Sequence, residues 1–414
     1  MACSIPTEPL PDARINSGAK ELRDHRPTSP AEAVKRLEAA GAIVFAKTNL
    51  PLFAGEWQSF NELHGTTRNP WDPSRTPGGS SGGSAASVAA GYSALELGSD
   101  IGGSIRIPAH FCGVVGHKPT HGIIPMRGHV PGPPGSLGEP DLAVAGPMGV
   151  SVRDVELALR VLTGPRPEDA EAWSLSLPEA PPKELGAYRV GLWMDDAECP
   201  LEPDVRAVLE AAVAALEDAG LEVVRKTPFK LADHLETYVR LLAAVVGSGI
   251  PEKVLRRIKL QRPAMKLAWA LKPPPGLLPA YLEGVLQTHR EWLATSERRR
   301  RLEAELAAYF SDVDVLLMPN APWSAPPHAQ DGEIVLRKIQ TPSGERDYVD
   351  HLPWIALSTV TGAPATSVPV GRTPEGLPVG LQVVSGRHRD LTCLAFAKEL
   401  ERVCGRLGAP PGYA

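Results

Sequence analysis

The chain has little of what would tie it to an extracytoplasmic compartment, a metal or a polyanion. Its five cysteines (Cys3, Cys112, Cys199, Cys393 and Cys404) are an odd number, scattered, with no CxxC spacing. That excludes a disulfide framework or a thiolate zinc site and fits a reducing cytoplasm. No apolar run approaches the roughly 18 residues of a membrane span, and no basic segment followed by an apolar core opens the chain, so neither membrane insertion nor secretion is expected. Neither sign of charge dominates. The 43 Lys and Arg against 48 Asp and Glu leave a net charge of −5, with no general pull toward nucleic acid or anionic lipid. The 11 histidines show no HExxH or other close ligand spacing, so no metal and no other cofactor is expected. Aromatic residues are 5% of the chain and give no hint of ring recognition.

What is present can fill a core: 43% of the 414 residues are hydrophobic, enough for one large α/β domain. Ser29-Pro30 reads as a helix entry, and Ala33, Val34, Leu37 and Ala40 form one stripe before Gly41 stops it. Ala42-Ile-Val-Phe-Ala46 then reads as a buried strand. Helix followed by strand repeats over 84–97 and over 204–225, which predicts an α/β layer structure with a largely parallel sheet. Residues 166–186, rich in Pro, Glu and Ala, read as a loop, and 250–312 as a helical insertion split by Lys272-Pro-Pro-Pro-Gly276. Within that insertion Arg298 to Arg301 stand among Glu297, Glu303 and Glu305 and read as a solvated helix face. The apolar runs broken by Gly and Pro between 353 and 384 read as strands, and 390–403 as a closing amphipathic helix.

The most specific pattern lies between 78 and 113. Gly78, Gly79, Gly82 and Gly83 surround Ser80 and Ser81, and Asp100-Ile-Gly-Gly-Ser104 follows 20 residues after Ser80. Glycines at both places free the backbone to gather several N–H groups toward one point, which suits an oxyanion. Asp100 and Arg106 read as a pair that pins the second turn, and Cys112, in an apolar stretch, as a small core residue.

Together with Asn69-Pro-Trp-Asp-Pro-Ser-Arg-Thr-Pro77 and Gly113-Val-Val-Gly-His-Lys-Pro-Thr-His-Gly122, this block closely resembles the amidase signature family of serine hydrolases. The resemblance implies the fold of that family, an α/β fold with a large mixed, mainly parallel sheet covered by helices on both faces and a helical insertion. It also implies that Ser104 is the nucleophile and that Ser80, 24 positions earlier, is the bridging serine whose peptide bond is cis. Their hydroxyls would lie within hydrogen-bond reach, with Ser81 as support and the amides of Ile101, Gly102, Gly103 and Ser104 as the oxyanion hole. Activation of an amide for attack needs both parts, a deprotonated hydroxyl and preset donors for the tetrahedral O⁻.

The family also carries a Lys-Asp element upstream whose lysine is the base. No lysine precedes Lys20 here, and the position falls near Ile5, so residues 1–414 are expected to form a single domain lacking an N-terminal segment. Lys20, Lys47 and Lys118 are the candidates to replace that base. The expected activity is hydrolysis of a small linear amide through an acyl-Ser104 intermediate. The expected partner is that small molecule rather than nucleic acid or membrane, with a homodimer left open. The competing readings are a glutaminase-like subunit of a tRNA-dependent amidotransferase and an inactive relative that only binds ligand.

Overall fold

The computed structural model describes residues 2–3, 16–27, 29–129, 136–225, 227–272 and 276–413. Among them, nine strands form one sheet: β1 (Ala2–Cys3), β2 (Leu95–Asp100), β3 (Val115–Lys118), β4 (Val144–Gly149), β5 (Val190–Leu192), β6 (Val223–Val224), β7 (Val315–Pro319), β8 (Ala365–Arg372) and β9 (Pro378–Val384). Their order across the sheet is β1-β2-β4-β3-β8-β9-β7-β5-β6. The fold is α/β with a large mixed sheet, but the expectation that it is mainly parallel needs correcting. Only β1 with β2, β5 with β6 and β5 with β7 run parallel, at the two ends of the sheet. The central pairings are all antiparallel. Helix–strand alternation implies parallel neighbours only where each helix crosses between adjacent strands. Here β4 comes between β2 and β3, and β8 returns to β9 through a tight turn closed by Gly376 N–H on Thr373 O at 2.8 Å.

Helices Val152–Leu162, Pro203–Asp218 and Asp390–Cys404 cover one face and share a core with residues such as Leu97, Val190, Leu317 and Val383 of the sheet. Helices Gly82–Ala89 and Arg106–Cys112 pack on the other face. Helices Leu231–Val246 and Pro353–Val360 build a second core there around Ile107, Phe111, Tyr238 and Ile355. The stretch 353–360 is thus a helix rather than a strand. All eight of its residues are buried, so the apolar sequence carries no helical stripe to distinguish it from a buried strand.

Residues 42–46 form no strand of the sheet: Val44 is buried, whereas Ile43 and Phe45 are exposed. The region 250–312 is helical, in three pieces (Glu252–Leu271, Leu278–Leu286 and His289–Asp312). A Cβ at Gly284 would fall 2.5 Å from Arg240 O, so this glycine allows Leu278–Leu286 to lie directly on Leu231–Val246. The basic run in the last helix is not wholly solvated, because Arg299 is buried and pairs with Asp141 at 2.8 Å. Its neighbours Arg300 and Arg301 face solvent beside Glu303 and Glu297.

Candidate active site

β2 ends at Asp100, and the chain turns through Ile101, Gly102, Gly103 and Ser104 into helix Arg106–Cys112. Gly103 has φ +87°, and a methyl there would lie 2.7 Å from Ile107 Cδ1, so both backbone and packing demand glycine. The Asp100 carboxylate fills the inside of the turn. It accepts the N–H groups of Gly103 (3.0 Å), Ile105 (3.1 Å) and Arg106 (3.4 Å), and the Arg106 guanidinium at 3.0 and 2.8 Å. Both side chains are fully buried. Burial pushes the Asp100 carboxyl up, but the Arg106 charge and these donors more than offset it, so Asp100 ionises below the usual carboxylate range. The remaining Arg106 N–H groups reach Ile355 O, Ser358 Oγ, Thr359 Oγ1 and Gln382 Oε1 at 2.7–3.0 Å, tying the turn to helix Pro353–Val360 and to β9.

The other Gly/Ser turn lies against it. The Gly79–Ser80 peptide bond is cis. Ser59 Oγ sits between the carbonyls of Gly78 (3.2 Å) and Ser80 (3.1 Å) and accepts the Gly82 N–H at 3.0 Å, which fixes the loop at the start of helix Gly82–Ala89. Gly83 has no room for a side chain, since a Cβ would come within 2.3 Å of Asn49 O. The two turns are joined by Ser81 N–H on Ser104 O at 3.2 Å, while Ser81 Oγ contacts the Ser99 backbone at 3.3 and 3.4 Å.

Ser104 and Ser80 are 6% and 3% exposed, and neither hydroxyl is hydrogen-bonded among the described residues. The direct bond expected between them is therefore not made; the Ser81 backbone supplies the link between the turns instead. The four amides expected to form an oxyanion hole also divide. The Gly103 N–H is committed to Asp100, whereas those of Gly102 and Ser104 meet no acceptor among the described residues. Buried or nearly buried hydroxyls and amides with no internal partner are what a reacting carbonyl can use.

Of the three lysines, Lys20 is exposed and pairs with Glu62. Lys47 Nζ is buried. Lys118, at the end of β3, is 1% exposed, and burial first and the Arg106 charge second push its amine down to about 7. Lys118 Nζ donates to Pro119 O at 2.9 Å and is hydrogen-bonded to neither serine. Burial raises the Cys112 thiol, which donates to Pro77 O at 3.4 Å and belongs to the core. No group of His, Cys, Asp and Glu among the described residues could hold a metal ion, and no helix among them is long and apolar enough to cross a membrane.

Sequence reasoning missed three side chains, two of them on the turn. Trp57 Nε1 donates to Gly102 O and Tyr238 Oη to Ile101 O, both at 2.7 Å. Glu96, near the start of β2, is fully buried and accepts the Ser93 hydroxyl at 2.7 Å, away from the turn itself. A lone Glu in Leu-Glu-Leu, or a Trp and a Tyr 45 and 137 positions from their acceptors, carries no local signal. A cavity of about 590 Å³ opens between helix Leu231–Val246 and the insertion, lined among others by Leu235, Arg240, Lys266, Trp269 and Glu283.

The amidase family model matches residues 10–394. That match gives no support to the expectation that an N-terminal segment is missing. A glutamyl-tRNA(Gln) amidotransferase subunit of Thermus thermophilus is 35% identical over 429 residues, covering 97% of this chain and 84% of that protein. The solved structure of the corresponding glutamyl-tRNA(Gln) amidotransferase subunit from Thermotoga maritima has a TM-score of 0.76 at 28% identity, covering 99% of this chain and 85% of that one. A 6-aminohexanoate cyclic dimer hydrolase, solved with its substrate, also reaches 0.76, at 26% identity and with 100% and 86% coverage.

Proposed function

The chain belongs to the amidase signature family, and from that premise we propose that it hydrolyses the C–N bond of a small linear amide through an acyl-Ser104 intermediate. The observation that carries the proposal is the Ser104 hydroxyl, almost buried and without a partner among the described residues, on a turn whose Gly102 and Ser104 amides likewise meet no acceptor among them. Ser104 Oγ attacks the carbonyl carbon as its proton passes to Ser80 Oγ, which hands its own proton on to the departing nitrogen. The free amides take the charge that develops on the carbonyl oxygen, and the amine leaves with a proton. Water then attacks the acyl-serine and releases the acid. Asp100 and Arg106 hold the turn without touching substrate. Lys118 enters as a buried amine beside that pair, not as the base. The cavity at the insertion is where this reading puts contacts that select the substrate.

A second reading is favoured by the names of the similar proteins: this chain as the amide-splitting subunit of an amidotransferase. The first experiment assays the purified chain against linear carboxamides and the matching activated esters, with Ser104→Ala and Ser81→Ala beside it. Ser104→Ala should lower turnover by at least about 10³-fold and Ser81→Ala by roughly 10–100-fold, since a nucleophile cannot be bypassed and a supporting contact can. Equal losses would reverse these roles. The second experiment looks for a copurifying partner and for glutamine hydrolysis that depends on it; a positive result selects the subunit reading. Tight binding of amides without any turnover would leave a ligand-binding relative.

A further inference from the structure

We propose that Tyr238 and Trp57 are positioning residues that hold two carbonyls of the 101–104 turn, Tyr238 aiming the free Gly102 N–H and Trp57 fixing the next peptide, whose N–H goes to Asp100, so that the free Ser104 N–H beyond it stays in line. The inference rests on reading that turn as the oxyanion-binding element. Across a planar trans peptide, the C=O of one residue and the N–H of the next point in opposite directions, so fixing the oxygen fixes the hydrogen. Three successive carbonyls of the turn are held in this way. Ile101 O accepts Tyr238 Oη–H at 2.7 Å, which directs the Gly102 N–H to the opposite side. Gly102 O accepts Trp57 Nε1–H at 2.7 Å, which directs the Gly103 N–H toward Asp100. Gly103 O accepts the Ile107 N–H at 2.8 Å, which directs the Ser104 N–H away from the helix. The last of these comes from the helix itself, while the first two come from side chains remote in sequence.

Both donors are built to stay in place. Tyr238 is fully buried on helix Leu231–Val246, and burial raises its hydroxyl further above the usual tyrosine range, so it remains a donor at every working pH. The Trp57 indole stacks on His351 at 5.3 Å and 13°, meets the edge of Tyr348 at 5.5 Å, and has its backbone N–H on Glu56 Oε1 at 2.8 Å. Glu56 is held in turn by Arg337 at 2.6 Å and by the Tyr348 hydroxyl at 2.5 Å. Glycine at 102 and 103 leaves the backbone free to rotate, so without these donors the turn could swing its amides out of line. The helix that carries Tyr238 also forms a wall of the cavity at the insertion, so residues that select substrate and residues that aim the turn share one rigid element.

The test compares Tyr238→Phe and Trp57→Phe with wild type by two readouts. Tyr309→Phe, which removes a buried hydroxyl that touches no part of the turn, serves as the control. In steady-state kinetics each of the first two variants should lower kcat by about 10–100-fold with KM changed less than about threefold, because the amides act on charge present only in the transition state. In hydrogen–deuterium exchange, the peptide spanning 101–104 should exchange at least about tenfold faster than in wild type and in the control. Unchanged exchange in both variants, or unchanged kcat in both, would overturn the inference. If Tyr238→Phe fails to fold, Trp57→Phe still tests the neighbouring carbonyl. If wild type hydrolyses no amide or ester, the proposed function fails while exchange still judges the clamp: faster exchange in the variants supports it and equal exchange rejects it.

Discussion

Replacing Glu96 with Gln should make the protein's stability much less sensitive to pH between about 4.5 and 8. Glu96 sits on β2, two residues before Gly98, at which a Cβ would lie 2.8 Å from Ser81 Oγ. The side chain is 0% exposed. Its Oε1 accepts the Ser93 hydroxyl at 2.7 Å, and its Oε2 has no hydrogen-bond partner among the described residues. Burial outweighs the pull of the Ser93, Ser87 and Ser84 hydroxyls and raises the carboxyl from 4.5 to about 7. In the unfolded chain Glu96 loses its proton as pH passes 4.5; in the folded chain it keeps that proton until about 7. Stability from this group is therefore fully present below 4.5, falls as pH rises to about 7, and then levels off. The raised pKa corresponds to a loss of roughly 3 kcal/mol across that window. Gln cannot ionise. Its buried amide, left beside the unpartnered Oε2 position, adds a pH-independent cost of about 1–3 kcal/mol, which changes the offset but not the slope. Urea unfolding of wild type and Glu96→Gln at about pH 4.5, 6, 7 and 8 measures the difference directly. The variant should gain roughly 3 kcal/mol relative to wild type between the two ends. A difference that stays constant across the series would show that Glu96 is ionised in the folded protein and that the burial argument is wrong.

Arg106→Met should destabilise the fold by about 3–5 kcal/mol in denaturant melts, because it leaves the Asp100 carboxylate buried without its partner; adding Asp100→Asn should recover part of the loss. Little change from the single replacement would mean that the turn's amides suffice to hold Asp100. Gly103→Ala should cost about 1–3 kcal/mol, from the φ of +87° and the contact with Ile107, and should lower turnover along with stability. An alanine variant with wild-type stability and rate would show that the turn adapts at no cost.

Much of the site was legible because the signals that specify it are local. Glycines clustered beside one or two serines mark places where the backbone must bend tightly, and the fold brings the turns of Ser80 and Ser104 together through the bond from Ser81 N–H to Ser104 O. The pairing of Asp100 with Arg106 spans six residues and follows from opposite charges on either side of a turn. Helices with a regular apolar stripe, such as those at 32–39, 203–218 and 390–404, were legible for the same reason. The helix at 353–360 was not. When every face is buried, hydrophobic periodicity vanishes, and the composition of a buried helix becomes that of a buried strand.

Sequence alone determined the α/β class, the serine-bearing turns and the absence of a cysteine or histidine pattern for metal, since each depends on residues near one another along the chain. The direction of the central strands was decided by tertiary structure, because which strand lies beside which depends on the whole route of the chain and not on alternation of helix and strand. The orientation of the amides at 102–104 was settled there too: Asp100 takes the Gly103 N–H, whose peptide is held by Trp57 45 positions away, while Tyr238, 137 positions from the carbonyl it holds, and the Ile107 N–H orient those of Gly102 and Ser104. The state of Glu96 belongs to the same group, as a carboxyl ordinary in sequence becomes a proton holder near pH 7 only when the sheet and helix Gly82–Ala89 exclude water from it. Short-range spacing fixes where the backbone can bend; only packing fixes which groups lose water and which donor meets which acceptor.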